Sequence, residues 1–153
     1  MNVGIIGSGG REHAICVSLK NSKNTNNIYC FPGNAGTSLL AKNIETDLNN
    51  FEGLKKLIQK FDIDLVIIGP EKPLVDGLVD YLKKNRIKVF GPNKIASQLE
   101  GSKIFTKKLC EKYDIPTARF GVFDDITKSL SYLEKCKFPI VVKADGLAAG
   151  KGV

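Results

Sequence analysis

Apolar positions along the chain fall into two periods, and the changes between them mark the elements. Val3, Ile5 and Ile6 form a short apolar run ending at Gly7, and Ala14, Ile15 and Leu19 follow at helical spacing. The polar stretch 21–27 reads as a turn. Ile28, Tyr29, Cys30 and Phe31 then make a short buried strand that stops at Pro32. Phe51, Leu54, Ile58 and Phe61 recur at i, i+3, i+7 and i+10, one core-facing helical stripe, with Asp47 as its expected cap. Leu65, Val66, Ile67 and Ile68 are continuously apolar, as a strand covered on both faces requires. A helix through Leu74, Leu78, Val79 and Leu82 and a strand through Ile87, Val89 and Phe90 complete the series. Right-handed crossovers between these units give four parallel strands with helices on both faces, a Rossmann-like α/β domain.

From Gly91-Pro92 the texture changes. Ile95, Ala96 and Leu99 mark a brief helix, and Ser102 is placed to cap another with Ile104, Phe105, Leu109 and Tyr113 on its inner face. The pattern then predicts a strand over 119–122, an amphipathic helix marked by Ile126, Leu130 and Leu133, and a buried strand from Pro139 to Lys143. The expected division lies here, with one domain over 1–100 and the start of another over 101–153.

Composition narrows the class. Of 153 residues, 42% are hydrophobic and 25% charged, ordinary values for a soluble globular protein. No apolar run approaches the roughly 18 residues of a membrane span, and nothing after Met1 resembles a signal peptide, so a cytoplasmic protein without membrane partners is expected. The four cysteines contain no C-x-x-C pair and share one histidine, which argues against zinc; Cys16 and Cys30 read as small buried hydrophobes. The net charge of +7 comes largely from lysines on predicted helix faces, with attraction of anionic substrates as the second reading. No basic patch interleaved with aromatics suggests nucleic acid.

The chemistry concentrates in loops at strand ends. Gly7-Ser8-Gly9-Gly10-Arg11-Glu12-His13 joins a strand to a helix N-terminus, where N–H groups and the helix dipole favour an anion; a plain tight turn needs the same glycines. Pro32-Gly33-Asn34-Ala35-Gly36 sets an amide between glycines, for close approach to a ligand or as an ordinary loop. Gly69-Pro70-Glu71-Lys72-Pro73 puts a carboxylate at the C-terminal end of a central strand, where open α/β sheets bind ligands, although the prolines also suit a simple helix start. Strand ends at Gly7, Pro32, Gly69 and Gly91 would gather along one sheet edge.

At the far end, Lys143 closes a strand and Asp145 to Val153 form a glycine loop bearing Lys151, a set suited to nucleotide phosphates. It is no Walker loop, because Gly152 stands where Ser or Thr is needed. Lys103 alone reads as a solvated helix lysine. A nicotinamide-binding Rossmann domain is the rival for the first loop, but Glu12 occupies the third fingerprint glycine and Phe31-Pro32-Gly33 lacks the ribose-binding acid.

The strings GSGGREH (7–13), PGNAG (32–36), GPEKPL (69–74), LEGSK (99–103) and KADGLAAGKGV (143–153), in this order, resemble the phosphoribosylamine–glycine ligase family, also called glycinamide ribonucleotide synthetase, of the ATP-grasp superfamily. The resemblance covers the whole chain. It implies an N-terminal domain that precedes the ATP-grasp fold, then the beginning of that fold. The implied reaction is ligation of glycine to 5-phosphoribosylamine in purine biosynthesis: ATP phosphorylates the glycine carboxylate and the sugar amine displaces the phosphate. Positioning and charge neutralisation carry such chemistry, so no catalytic nucleophile is expected, in keeping with the absence of a Ser/His/Asp set.

By the same resemblance, Gly9, Gly10, Arg11 and His13 would hold the 5-phosphate or its neighbourhood, and Asn34 and Glu71 would face the ribose or amine. Lys103 and Lys143 match lysines that contact ATP phosphates, and Gly146, Gly150, Lys151 and Gly152 match the loop that closes over them. ATP with Mg2+ or Mn2+ is implied, the metal ligands belonging to family segments beyond Val153. On that pattern the chain by itself is expected to lack ligase activity and to be able to self-associate through strand edges, the intact enzyme being monomeric. Two other classes stay open: an oxidoreductase, which NAD(P) binding would reveal, and a non-catalytic module that holds a sugar phosphate without turnover.

Overall fold

The computed structural model describes residues 1–148, which form two compact units: Met1–Ser97, and a second beginning at Gln98. The first is built on a parallel sheet of β1 (Asn2–Gly7), β2 (Asn27–Pro32), β3 (Lys42–Asn43), β4 (Leu65–Ile68) and β5 (Val89–Phe90), in the order β3-β2-β1-β4-β5. The hydrophobic pattern predicts four of these strands. The additional one, β3, pairs only Lys42 with Tyr29 and Asn43 with Cys30, too short a run to show a period.

Strand β1 lies in the middle, with Val3 paired to Ile28 on one side and to Leu65 on the other. Its residues divide the core. Val3 and Ile5 pack with Ile28, Cys30 and Cys16 of α1 (Gly10–Lys20). Ile6 packs on the other face with Phe31, Val66 and Ile68, against helices α2 (Phe51–Lys60), α3 (Glu71–Asp76) and α4 (Leu78–Lys84). Each such aliphatic side chain contributes about 1.5–3 kcal/mol when fully buried. The predicted stripe is the buried face of α2: Leu54 and Ile58 are inside, with Phe51 and Phe61 packed at its ends.

Cys16 and Cys30 are fully buried free thiols with sulfurs 3.3 Å apart. Burial pushes both up, Cys30 to about 12, the hydrogen bond between them adding to the rise at Cys30. Such groups stay protonated and pack as apolar residues, as the pattern around them suggests.

Two local expectations change. Asn50, not Asp47, caps α2: its Oδ1 accepts from the Gly53 N–H at 2.9 Å, while Asp47 turns the chain one step earlier by accepting from the Asn49 N–H. The helix expected through Leu74–Leu82 is two, because Gly77 adopts φ +97° and separates α3 from α4. The apolar spacing survives the break, since Leu74, Leu78, Val79 and Leu82 all remain buried.

Helix α5 (Lys94–Gly101) straddles the division between units. In the second unit, the Ser102 hydroxyl caps α6 (Lys103–Lys112) by accepting from the Phe105 N–H at 3.0 Å, and Asp125 caps α7 (Ile126–Leu133). The strands expected over 119–122 and 139–143 do not form: no described residue pairs with either, and Val141 and Val142 are 68% and 70% exposed. A strand without a neighbour has no ladder to satisfy its backbone. Tyr113, expected on the inner face of α6, instead follows its last turn and is exposed. No helix among the described residues is long and apolar enough to cross a membrane.

Candidate functional site

The order β3-β2-β1-β4-β5 reverses direction between β1 and β4, and in open α/β sheets a ligand crevice opens at that reversal, beyond the strands' C-terminal ends. The loops after β1 and β4 meet there around a cavity of about 550 Å³, lined by residues 7–12, by Leu48 and Asn49, and by Pro70, Glu71, Lys72, Pro73 and Asp76.

The first loop departs from the strand at Gly7, whose φ of +124° lies in the region that favours glycine. The chain enters α1 through a one-sided cap: Glu12 Oε2 accepts from the Gly9 N–H at 2.5 Å, and Gly9 has no side chain to return a bond. Glu12 is 4% exposed and lies against two glycines. A Cβ added at Gly69 would stand 1.9 Å from its Oε1, and one at Gly7 would stand 2.8 Å from its Cδ. The missing side chains of Gly7 and Gly69 are therefore the space this carboxylate occupies. Gly10, by contrast, faces open space, with nothing within 4 Å of a Cβ position.

Arg11 joins the two loops. Its Nη1 donates to the Gly69 carbonyl at 2.6 Å, and its Nη2 donates to Glu71 Oε1 at 2.9 Å. Glu71 is the first residue of α3, and its own N–H, then the guanidinium of Arg11, hold its carboxyl below the usual range; partial burial opposes them. Glu71 is thus ionised at neutral pH and one-third exposed, able to accept hydrogen bonds from the cavity.

The loop after β2 is tied to the first one from the other side. Asn34 Nδ2 donates to the Ser8 carbonyl at 2.9 Å and to the Gly9 carbonyl at 3.2 Å, while its Oδ1 accepts from the Thr37 N–H at 2.9 Å. Thr37, fully buried, receives the Asn34 N–H at 2.7 Å and donates to Asn43 Oδ1 at 2.8 Å, so β3 anchors this loop. His13 is half-buried and lies beside Gly36, where a Cβ would come within 2.8 Å of its Cε1. The same missing side chain at Gly36 leaves room for the Asn34 amide, whose Oδ1 lies 3.2 Å from that Cβ position.

The predicted residues of the first unit therefore gather at one edge, but their polar atoms are differently employed. The Gly9 N–H serves Glu12, and the Asn34 amide serves the first loop. Gly10, Arg11 and Glu71 line the cavity. Glu12 enters the sequence reading only as a broken fingerprint; the spacing Gly9-x-x-Glu12, which lets a glutamate reach back to the N-cap N–H, is the signal that carries its actual role.

In the second unit, Lys103 Nζ donates to the Gly146 carbonyl at 2.8 Å. Asp145, not singled out by the sequence, binds the Ser102 hydroxyl at 3.0 and 3.1 Å and the Ile104 N–H at 3.2 Å. Its slight burial opposes ionisation, but the Ile104 N–H, the Ser102 hydroxyl and two further backbone N–H groups hold it below the ordinary aspartate range. The N-terminus of α6 and the 145–146 turn are thereby fastened together. Lys143 is exposed, and Gly150, Lys151 and Gly152 lie outside the described residues. Among the described residues no three His, Cys, Asp or Glu side chains converge as a metal site would require.

A parallel doubly wound sheet whose loops enclose a cavity at its reversal, followed by a separate unit in which a lysine is fastened to a glycine turn, defines an α/β domain of the doubly wound class joined to a second unit. Residues 1–100 match the phosphoribosylglycinamide synthetase N domain, and residues 101–153 match the ATP-grasp (A) domain of the same family. The chain belongs to the phosphoribosylglycinamide synthetase family. It is 50% identical, over its whole length, to phosphoribosylamine–glycine ligase of Clostridium acetobutylicum, of which it covers 37%. The crystal structure of phosphoribosylamine–glycine ligase from Thermotoga maritima superposes with a TM-score of 0.77 at 36% identity, covering 99% of this chain and 35% of that one. The fold also extends to N5-carboxyaminoimidazole synthetase from Staphylococcus aureus complexed with ADP, with a TM-score of 0.70 at 18% identity, covering 95% of this chain and 39% of that one. The chain thus spans little more than a third of the length of the curated relatives it matches.

Proposed function

We propose that this chain supplies the N-terminal part of an ATP-dependent ligase that joins glycine to 5-phosphoribosylamine, and that the cavity between the β1 and β4 loops receives the phosphoribosylamine. The observation that carries the reading is the Arg11–Glu71 pair spanning both loops at the sheet reversal, in a chain of this family. Glu71, kept ionised, accepts hydrogen bonds from the ribose hydroxyls or the amine and orients that amine for attack. Arg11 fixes the carboxylate and the Gly69 turn, Gly10 leaves room for the sugar, and Gly9, His13 and Asn34 hold the loops around it. Domains are assigned as 1–100 for the acceptor substrate and 101–153 as the beginning of the nucleotide-binding part.

ATP would be met by Lys103, Lys143, Gly146, Gly150, Lys151 and Gly152. The fit is supported where Lys103 and the 145–146 turn are held together, an ammonium beside a glycine backbone of the kind phosphates require. ATP supplies the phosphoryl group that turns the carboxylate of glycine into an electrophile, with Mg2+ or Mn2+ held by segments other than those described. A cytoplasmic, monomeric whole enzyme is part of the proposal.

Titration of the 153-residue chain with ribose 5-phosphate, a stable stand-in for the amine, followed by 1H–15N NMR, tests the acceptor site. Saturable shifts are expected at the amides of residues 8–11 and of Gly69, Glu71 and Lys72. Glu71→Gln should weaken binding about tenfold, the loss of one charge-assisted hydrogen bond. Shifts absent from both loops, or an affinity untouched by the substitution, would overturn the assignment.

A further inference from the structure

The turn that opens α1 has the outward form of a phosphate cradle, yet the chain has placed an anion of its own in it. Glu12 Oε2 holds the Gly9 N–H, the first donor such a cradle would offer, and the residue as a whole is buried at 4% exposure. The surrounding charges do not invite a second anion. Three carboxylates border the cavity, those of Glu12, Glu71 and Asp76, against two cations, Arg11 and Lys72. Both cations are turned to those acids, Arg11 to Glu71 and Lys72 to Asp76. The dipole of the 11-residue helix already meets a negative charge at its first turn, where an anion is most favourable.

We propose that Glu12 is a specificity-determining residue: its carboxylate stands in for a ligand phosphate, closes the α1 turn to phosphate and pyrophosphate groups, and leaves the turn to the uncharged or amine-bearing part of a substrate. The selectivity itself belongs to the turn; only the naming of the substrate it serves rests on the proposed ligase function. The glycines opposite make the device possible, since Gly7 and Gly69 vacate the volume that the carboxylate fills. A phosphate-bearing substrate would then enter with its phosphate directed away from residues 9–11.

Glu12→Gln is the substitution of choice, because the glutamine carbonyl at the same position can still accept from the Gly9 N–H while the charge is removed. Inorganic phosphate and pyrophosphate are titrated against the wild-type chain and the variant, following the amides of Gly9, Gly10 and Arg11 by NMR. The wild type should show no saturable shift at these amides. The variant should bind pyrophosphate at least about tenfold more tightly than the wild type, as expected when a like charge a few ångströms away is removed. Saturable wild-type binding at these amides would overturn the proposal without reference to any variant. So would equal affinities in wild type and a folded variant, foldedness being judged by circular dichroism, with Glu12→Ala used in the same way if Glu12→Gln does not fold. Because ribose 5-phosphate is not used, failure here leaves the acceptor-site assignment standing, and failure of that titration leaves this one standing.

Discussion

Glu71 derives its ionisation from position before partner. As the first residue of α3 it is stabilised by its own N–H, and Arg11 adds the second contribution. The folded-state pKa is depressed, so the stability linked to it is present above the ordinary value of 4.5 and is lost as pH falls through the lower folded value. With the side chain one-third exposed, solvent screening keeps that contribution small. The sharper readout is the titration itself. Arg11→Met should raise the Glu71 midpoint, measured by carboxyl 13C shifts, yet leave it below 4.5 because the helix N-terminus remains. An unmoved midpoint would show that the guanidinium contributes nothing. Glycine chemistry at this scale is equally specific: Gly7 is needed for its φ, Gly69 for the room it leaves Glu12, and Gly10 for its openness. The sequence presents all three alike.

Among the elements, those whose side chains repeat were legible and those decided by a single atom were not. The stripe of α2 and the continuous apolar run of β4 each follow from several residues agreeing, and tertiary packing only reinforces them. The cap of α2 fell to Asn50 rather than Asp47 because both can accept a backbone N–H, and only the start of the first turn decides which does. The break at Gly77 was hidden by apolar spacing that continues across it. The strand ends that bear the site could be read, since a parallel sheet must gather them; the bonds from Asn34 to Ser8 and Gly9, and the seat of Glu12 on Gly69, join loops distant in sequence and depend on register. Gly77 offers a direct test of its element. Gly77→Ala forces a Cβ into the left-handed region at a cost of about 1–2 kcal/mol, while the nearest atom, Lys94 Cδ at 3.2 Å, can swing aside. Urea unfolding followed by circular dichroism should therefore show a loss of that size with an unchanged m-value. A neutral result would mean that the junction of α3 and α4 can close into one helix.

Across the whole molecule, order should follow the sheet. The amides of Ile5, Ile6 and Val66, in paired and buried strands, are expected to exchange slowest with deuterium, and those of 140–144, outside any helix or ladder, fastest. Protection at Val141 and Val142 comparable to that at Ile5 would indicate a strand partner that the described residues do not supply. The central place of β1 also bears on the order of events when the chain is made. Synthesis delivers Val3-Gly4-Ile5-Ile6 before the other strands of this sheet, and β2 can cover one side once Pro32 has emerged, but the other side waits for Leu65 to Ile68. Throughout that interval an apolar strand carries a bare row of N–H and C=O groups, ready to pair with any neighbouring nascent chain. A ribosome stalled before Leu65 would release a product more adhesive than one stalled after Ile68, although the two differ by a single short strand.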